Sequence, residues 1–298
     1  MSPSIEKLTW TLDRKQAITS AHYRYFFSGA TTKNILPGIN YVGKYFTLHH
    51  LKSNIKRNYC LYFIATEKLY PGMLQLMDAV ERNEEFLPPF EDINTFYRDG
   101  IELFIKKKDN FSKTIAELPL RGENGHKEDQ CKFHIEGPYG VGLRLSPSPK
   151  GLIVAVICGT GVLMWLEVVS YMLRKAVYEY GKCKLKNYKI FKNETFDDLT
   201  EPNFRLILFS SFNNAEEAVG MNEFQRMSDI MKRLGLNIFE YYIRLSNKKT
   251  PHYTEEYFKG RINGNPEKIY LCGPQNVAPT LKEIFVKIGF SEAIFNDI

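Results

Sequence analysis

Cysteine is scarce and unpatterned in this chain: the five residues, at 60, 131, 158, 183 and 272, are odd in number and show no CxxC spacing. That excludes a regular disulfide framework and a cysteine-based zinc site, and it fits a reducing compartment. The six histidines form neither an HxxxH nor an HExxH pair, so a helical metal site has no signature. Charge of one sign is also lacking. Forty Lys and Arg against 34 Asp and Glu leave a net charge of only +6, and the basic residues are scattered, with short clusters such as Ile105-Lys106-Lys107-Lys108. This is too little to indicate nucleic acid, and it is compatible with docking an acidic protein. The N-terminal MSPSIEKLTWTLDRK has no apolar core of a secretion signal and is not a transit sequence, which points to a cytoplasmic protein. Internal repeats and low-complexity tracts are absent.

Long apolar runs are lacking too, with one exception. GLIVAVICGTGVLMWLEVV, residues 151–169, carries Glu167 as its only charge. Its length approaches that of a membrane span. The interior argues otherwise. GLIVAVIC is small and β-branched, as a buried parallel strand requires. Gly159-Thr160-Gly161 then breaks the run, and VLMWLEVVSYMLRKAVYEYG has apolar residues at helical spacing. A lipid-exposed backbone break would leave polar groups unsatisfied. The expected structure is strand, tight turn and helix, with no transmembrane segment.

The 298 residues suffice for two domains. Residues 1–148 read as β-rich, with short runs such as LTWTLDRKQAI, AHYRYFFSGA, GKYFTLHHL, NYCLYFIAT, IELFIKKK and KFHIEG. They predict an antiparallel barrel or sandwich. Residues 67–100, helix-like and then loop-like, read as an insertion between two of its strands. Pro147, Pro149 and Gly151 mark a linker. From 149 to 298 strands and helices alternate: strands at 152–158, 204–210, 237–244 and 268–272, and helices at 162–180, around 216–234, and at 275–288. This predicts an open parallel α/β sheet. The fold class is therefore β-barrel plus α/β, with ligand expected at the carboxyl ends of the parallel strands.

Five segments carry potential chemistry. Arg57 and Tyr59, two apart on a strand, share a face, where arginine can grip a phosphate and tyrosine can stack on a flat ring. Asp109-Asn110-Phe111-Ser112 opens a helix, with Ser112 expected as its N-cap. Gly137-Pro138-Tyr139-Gly140 closes the β-rich half. Gly159-Thr160-Gly161 starts the α/β half, and its helix N-terminus suits a phosphate. The third glycine of a dinucleotide fingerprint is missing, since Val162, Leu163 and Met164 follow. Cys272-Gly273-Pro274 ends a strand. Taken singly, each has a plain structural alternative: a surface arginine, a helix cap, an interdomain turn, a tight turn and a buried thiol.

In this order the five segments resemble the ferredoxin–NADP reductase superfamily, most closely its NADH–cytochrome b5 reductase branch. The resemblance runs from about Phe46 to Phe285 and leaves 67–100 outside. It equates Arg57-Asn58-Tyr59-Cys60 with the flavin-binding Arg-x-Tyr-Ser/Thr motif. It equates Asn110, Phe111 and Ser112 with the remainder of a Gly-x-x-Ser motif that closes on flavin phosphates. Gly137, Pro138, Tyr139 and Gly140 match the barrel-ending Gly-Pro-Phe/Tyr-Gly. Gly159, Thr160 and Gly161 match the turn that carries the nicotinamide dinucleotide. Cys272, Gly273 and Pro274 match the motif that meets the nicotinamide.

The resemblance implies a flavoprotein with FAD or FMN that oxidises NADH or NADPH and passes electrons to a haem or iron–sulfur protein. Cys272 and Cys60 would lie at the reacting rings. Departures are Cys60 for Ser or Thr, Leu61 for Pro, Asp109 for the glycine of the phosphate motif, and Met164 for a proline. A thiol is a weaker hydrogen-bond donor than a hydroxyl. The alternative they raise is a degenerate reductase-fold subunit with a scaffold role in a larger assembly. Ser210, Ser211, Phe212 and Asn213 supply no positive charge for a 2′-phosphate, which favours NADH.

Overall fold

The computed structural model describes residues 8–28, 42–60, 69–84, 100–120, 131–145, 150–184, 204–246 and 253–297. The chain divides into two compact units, one from Met1–Gly72 and Pro89–Arg144, the other from Met73–Pro88 and Leu145–Ile298.

The first unit holds an antiparallel sheet of six strands: β1 (Leu8–Ala17), β2 (His22–Ser28), β3 (Tyr45–His50), β4 (Ile55–Cys60), β5 (Gly100–Lys106) and β6 (Lys132–Tyr139). Their order is β4-β3-β6-β1-β2-β5, and the two end strands also touch, so the sheet curls into a barrel. Burial alternates along β3, where Phe46, Leu48 and His50 face inward. That period of two is what the aromatic and β-branched runs encode. Trp10, Leu12, Tyr25, Phe27, Phe133 and Ile135 complete the interior, with Phe27 and Phe133 packed edge to face. β4 begins earlier than the NYCLYFIAT run suggests, because Asn54 adopts a left-handed φ of 54° and turns the chain straight from β3. Asn tolerates that conformation better than most residues. The continuation of the run, 61–66, lies outside the described residues, as do the loop half of the insertion and Pro147 and Pro149.

The short helix α2 (Asn110–Glu117) buries Phe111 and Ile115. Its N-cap is Asp109, and Ser112 stands three residues further on, correcting the expected Ser112 cap. Asp109 is extended, and its carboxylate accepts from the Ser112 amide at 2.8 Å. Ser112 Oγ in turn accepts from the Asp109 amide at 3.0 Å, completing a reciprocal capping box.

The second unit is a parallel sheet, in the order β11-β10-β7-β8-β9, of β7 (Gly151–Cys158), β8 (Phe204–Phe212), β9 (Phe239–Leu245), β10 (Pro266–Cys272) and β11 (Phe295–Asp297). Helices α3 (Leu163–Lys184), α4 (Met221–Arg233), α5 (Glu255–Lys259) and α6 (Val277–Ile288) complete it. The apolar run at 151–169 resolves into β7, a 3-10 turn over Gly159–Val162 and the start of α3. Leu152 to Ile157 are all buried. Each full-sized aliphatic side chain so buried is worth about 1.5–3 kcal/mol, which explains the absence of polar residues. No helix among the described residues is long and apolar enough to cross a membrane. The sequence pattern missed α5 and β11, which are five and three residues long. Such short elements show no periodicity.

The helical half of the 67–100 segment is α1 (Leu69–Glu81). From Met73 onward it belongs to the second unit. Arg226 of α4 donates to Asp78 at 2.6 Å and to Glu81 at 2.7 and 3.0 Å, and Arg233 donates to the Val80 carbonyl at 2.9 Å. The Arg226 hydrogen bonds hold Glu81 below the ordinary glutamate range, against the opposing effect of burial.

Candidate functional site

In the first unit, β3 joins two motifs that lie far apart in sequence. Tyr45 pairs with Cys60 on one side and with Tyr139 on the other. Paired residues face the same way, so Cys60 and Tyr139 share a face across Tyr45. The Tyr45 and Tyr139 rings lie 5.8 Å apart. Gly140, at φ +81°, leaves room for Tyr45, whose ring would lie 3.1 Å from a Cβ placed there. The next register pairs Phe46 with Tyr59, and a Cβ on Gly137 would come within 2.8 Å of the Phe46 ring. Glycine at 137 is thus required both by its φ of +146° and by Phe46. Pro138 continues β6 between these two glycines.

Alternation sends Arg57 and Tyr59 to the opposite face from Cys60, toward α2. Tyr59 stacks on Phe111, with centroids 6.2 Å apart and planes 22° from parallel. Burial first, then the nearby Asp109 charge, raises the Tyr59 phenol above its usual value, with Arg57 opposing. Arg57 Nε donates to Asp109 Oδ2 at 3.3 Å. Burial would raise the Asp109 carboxyl, but hydrogen bonds from Ser112 and then Arg57 outweigh it and hold it low. Ser112 is almost wholly buried, and its hydroxyl is spent on the backbone of Lys108 and Asp109. Asn110 opens the helix, and its carbonyl accepts from Thr114.

In the second unit two strand ends interlock. β7 and β10 run parallel, with Ile157 beside Cys272. A Cβ on Gly161 would lie 2.7 Å from Cys272 Sγ, and a Cβ on Gly273 would lie 3.2 Å from Cys158 Cβ. Each glycine makes room for a cysteine of the neighbouring strand. Gly159 has φ +71°, and among the described residues nothing lies within 4 Å of where a Cβ would point and no side chain caps the turn through Thr160 to Val162. Cys158 is raised by burial, partly offset by Arg244. Pro274 follows Gly273, and its carbonyl accepts from Val277 at the start of α6.

The expectation that no positive charge lies at the end of β8 is overturned. Arg244 of β9 donates to the hydroxyls of Ser211 and Ser246, each at 3.3 Å, and lies over the Tyr253 ring. Parallel pairing sets Ser211 directly beside Arg244, a register that sequence spacing does not reveal. Asp109 was the other residue undervalued by pattern alone, although Asp caps helices as well as Ser does. Among the described residues no three metal-ligating side chains cluster.

Flavin can be tested against these residues. The buried Tyr25 hydroxyl has no hydrogen-bond partner among the described residues, and its phenol adds to the rise at Tyr59. Tyr25 is wholly buried, so the fit rests on the half-buried Tyr59 ring and the exposed Arg57, which suit a flat ligand carrying a negative charge. Asp109 opposes it.

No protein-family profile matches the chain, and no curated protein sequence does. Solved structures do match. The cytochrome b5 reductase domain of Ulva prolifera nitrate reductase is 13% identical, with 98% of this chain and 97% of that one covered at a TM-score of 0.60. Flavohemoglobin from Malassezia yamatoensis, solved with FAD and heme, is 12% identical at a TM-score of 0.59; 99% of this chain spans 60% of that one. Phthalate dioxygenase reductase, described as transferring electrons from pyridine nucleotides to a [2Fe-2S] centre, is 13% identical, with 98% and 68% covered and a TM-score of 0.56. At such identities the likeness is one of architecture. This chain, with its curled antiparallel sheet and its parallel α/β sheet, has the ferredoxin–NADP reductase-like fold.

Proposed function

We propose that this chain is a flavin-dependent oxidoreductase that takes hydride from NADH and passes electrons to a haem or iron–sulfur protein. The observation that carries the reading is the packing of Cys272 Sγ against Gly161. It joins two motifs more than a hundred residues apart at the carboxyl end of the parallel sheet, where ligands of such sheets bind. The structural neighbours that carry FAD and heme, or use pyridine nucleotides, support the same chemistry.

When bound, FAD or FMN supplies the conversion between two-electron and one-electron transfer. The chain's own residues bind and orient. Arg57, which donates to Asp109 and to the Lys56 carbonyl, would have to give up the Asp109 contact to hold a flavin phosphate. Tyr59, with Phe111 behind it, offers an aromatic face, while Tyr139 and Cys60 lie on the opposite face of the sheet beside Tyr45. The uncapped amides of Gly159 to Gly161 receive the dinucleotide pyrophosphate. Cys272 and Gly273 line the nicotinamide end. The Arg244 guanidinium beside Ser211 has the charge that a 2′-phosphate requires, so NADPH is the alternative donor.

A second reading, a non-catalytic subunit of a larger assembly, is favoured by Asp109, whose carboxylate takes the Arg57 guanidinium and the α2 N-terminus for itself. The absorption spectrum of purified protein separates the two. Flavin bands bleached by NADH support the enzyme. Colourless protein that stays so when flavin is added supports the scaffold.

A further inference from the structure

We infer that Asp109 is an internal counter-anion: it stands where the proposed flavin phosphate would bind and lowers this chain's affinity for phosphate-bearing flavins, an inference that rests on the flavin reading above. Three observations meet at one residue. Oδ1 accepts from the Ser112 amide at 2.8 Å, at the positive end of α2. Oδ2 accepts from Arg57 Nε at 3.3 Å. The Asp109 main chain is tied at both ends by Ser112 Oγ, which accepts from its amide and donates to its carbonyl at 3.1 Å. Swinging the side chain away would break the bond from the Ser112 amide to Oδ1, which is its half of the cap.

An amide N–H at a helix start and an arginine are the two donors best suited to an oxyanion. Here one oxyanion of the chain itself uses both. A flavin phosphate would have to displace the Arg57–Asp109 contact and then lie beside a like charge. The pair is about half exposed, at 51% and 46%, so the displacement is feasible. The residual repulsion is what discriminates. Riboflavin, with no phosphate, does not meet it.

Asp109→Asn in the full chain is the test. Asparagine also caps helices well, so the fold is retained and the charge is lost. FAD and riboflavin are each titrated into wild type and variant, following flavin fluorescence. FAD is expected to bind the variant about tenfold tighter, as loss of one half-exposed like charge allows, with riboflavin affinity unchanged. Equal FAD affinity in both proteins, or weaker binding in the variant, overturns the role of Asp109 and leaves the flavin reading standing. If neither protein binds FAD or riboflavin, the flavin reading itself falls and takes the inference with it.

Discussion

Cys272 Sγ lies against Gly161 so closely that a methyl group there would sit 2.7 Å from it. Gly161 has no left-handed φ, so the constraint is contact and not backbone strain. Gly159 is the reverse, with φ +71° and nothing among the described residues within 4 Å of a Cβ placed there. Gly161→Ala should therefore cost about 1–3 kcal/mol through overpacking. Adding Cys272→Ala should recover most of that loss, since it removes the sulfur. Denaturant unfolding of the two single variants and the double variant measures the coupling. Additive losses would separate the two residues.

Cys272→Ala alone should slow flavin reduction by NADH while flavin stays bound. Stopped-flow reduction under anaerobic conditions reads the rate. Unchanged rates would return Cys272 to a packing role.

Arg57→Ala should weaken FAD binding by about tenfold without unfolding the barrel. The exposed ion pair with Asp109 is worth only about 0.2–1 kcal/mol to stability, and Arg57 is not part of the core. Thermal midpoint and bound flavin are measured together. Flavin content that does not change would remove Arg57 from the site.

Arg226→Ala should destabilise the second unit by about 1 kcal/mol, because hydrogen bonds to both Asp78 and Glu81 are lost at a half-exposed site. The pH dependence has a definite sign. Glu81 is depressed in the folded state, so its contribution is present above the ordinary glutamate value of about 4.3 and is lost as pH falls through the lower folded value. The stability difference between wild type and Arg226→Ala should thus be constant near neutrality and shrink below about pH 4. A difference that grows on acidification would contradict this assignment.

Arg244→Ala should lower affinity for NADP⁺ more than for NAD⁺, because only the former carries the 2′-phosphate that a guanidinium meets. Thermal-shift titration with the two nucleotides gives the comparison. Equal losses would confine Arg244 to its serine and Tyr253 contacts.

Much of the architecture was legible from local pattern. Alternating aromatic runs encode barrel strands, because one face of each is buried. The run GLIVAVIC encodes a central parallel strand, because both faces are covered. Gly159-Thr160-Gly161 marks the turn, since left-handed φ at 159 needs glycine. Ser112 was misplaced by three residues, because Asp and Ser both cap helices and only backbone geometry distinguishes cap from box partner.

By itself, then, the chain's pattern of apolar spacing and breakers determined two sheets of different kinds and the turns at their ends. Only the tertiary structure decided that Arg57 is held by Asp109, that Arg244 reaches Ser211, that Arg226 grips α1, and that Cys272 fills the space Gly161 leaves. The physical reason is one of range. Hydrophobic periodicity acts over a few neighbouring residues, whereas a hydrogen bond or a van der Waals contact across strands depends on register and on approach distances to a fraction of an ångström.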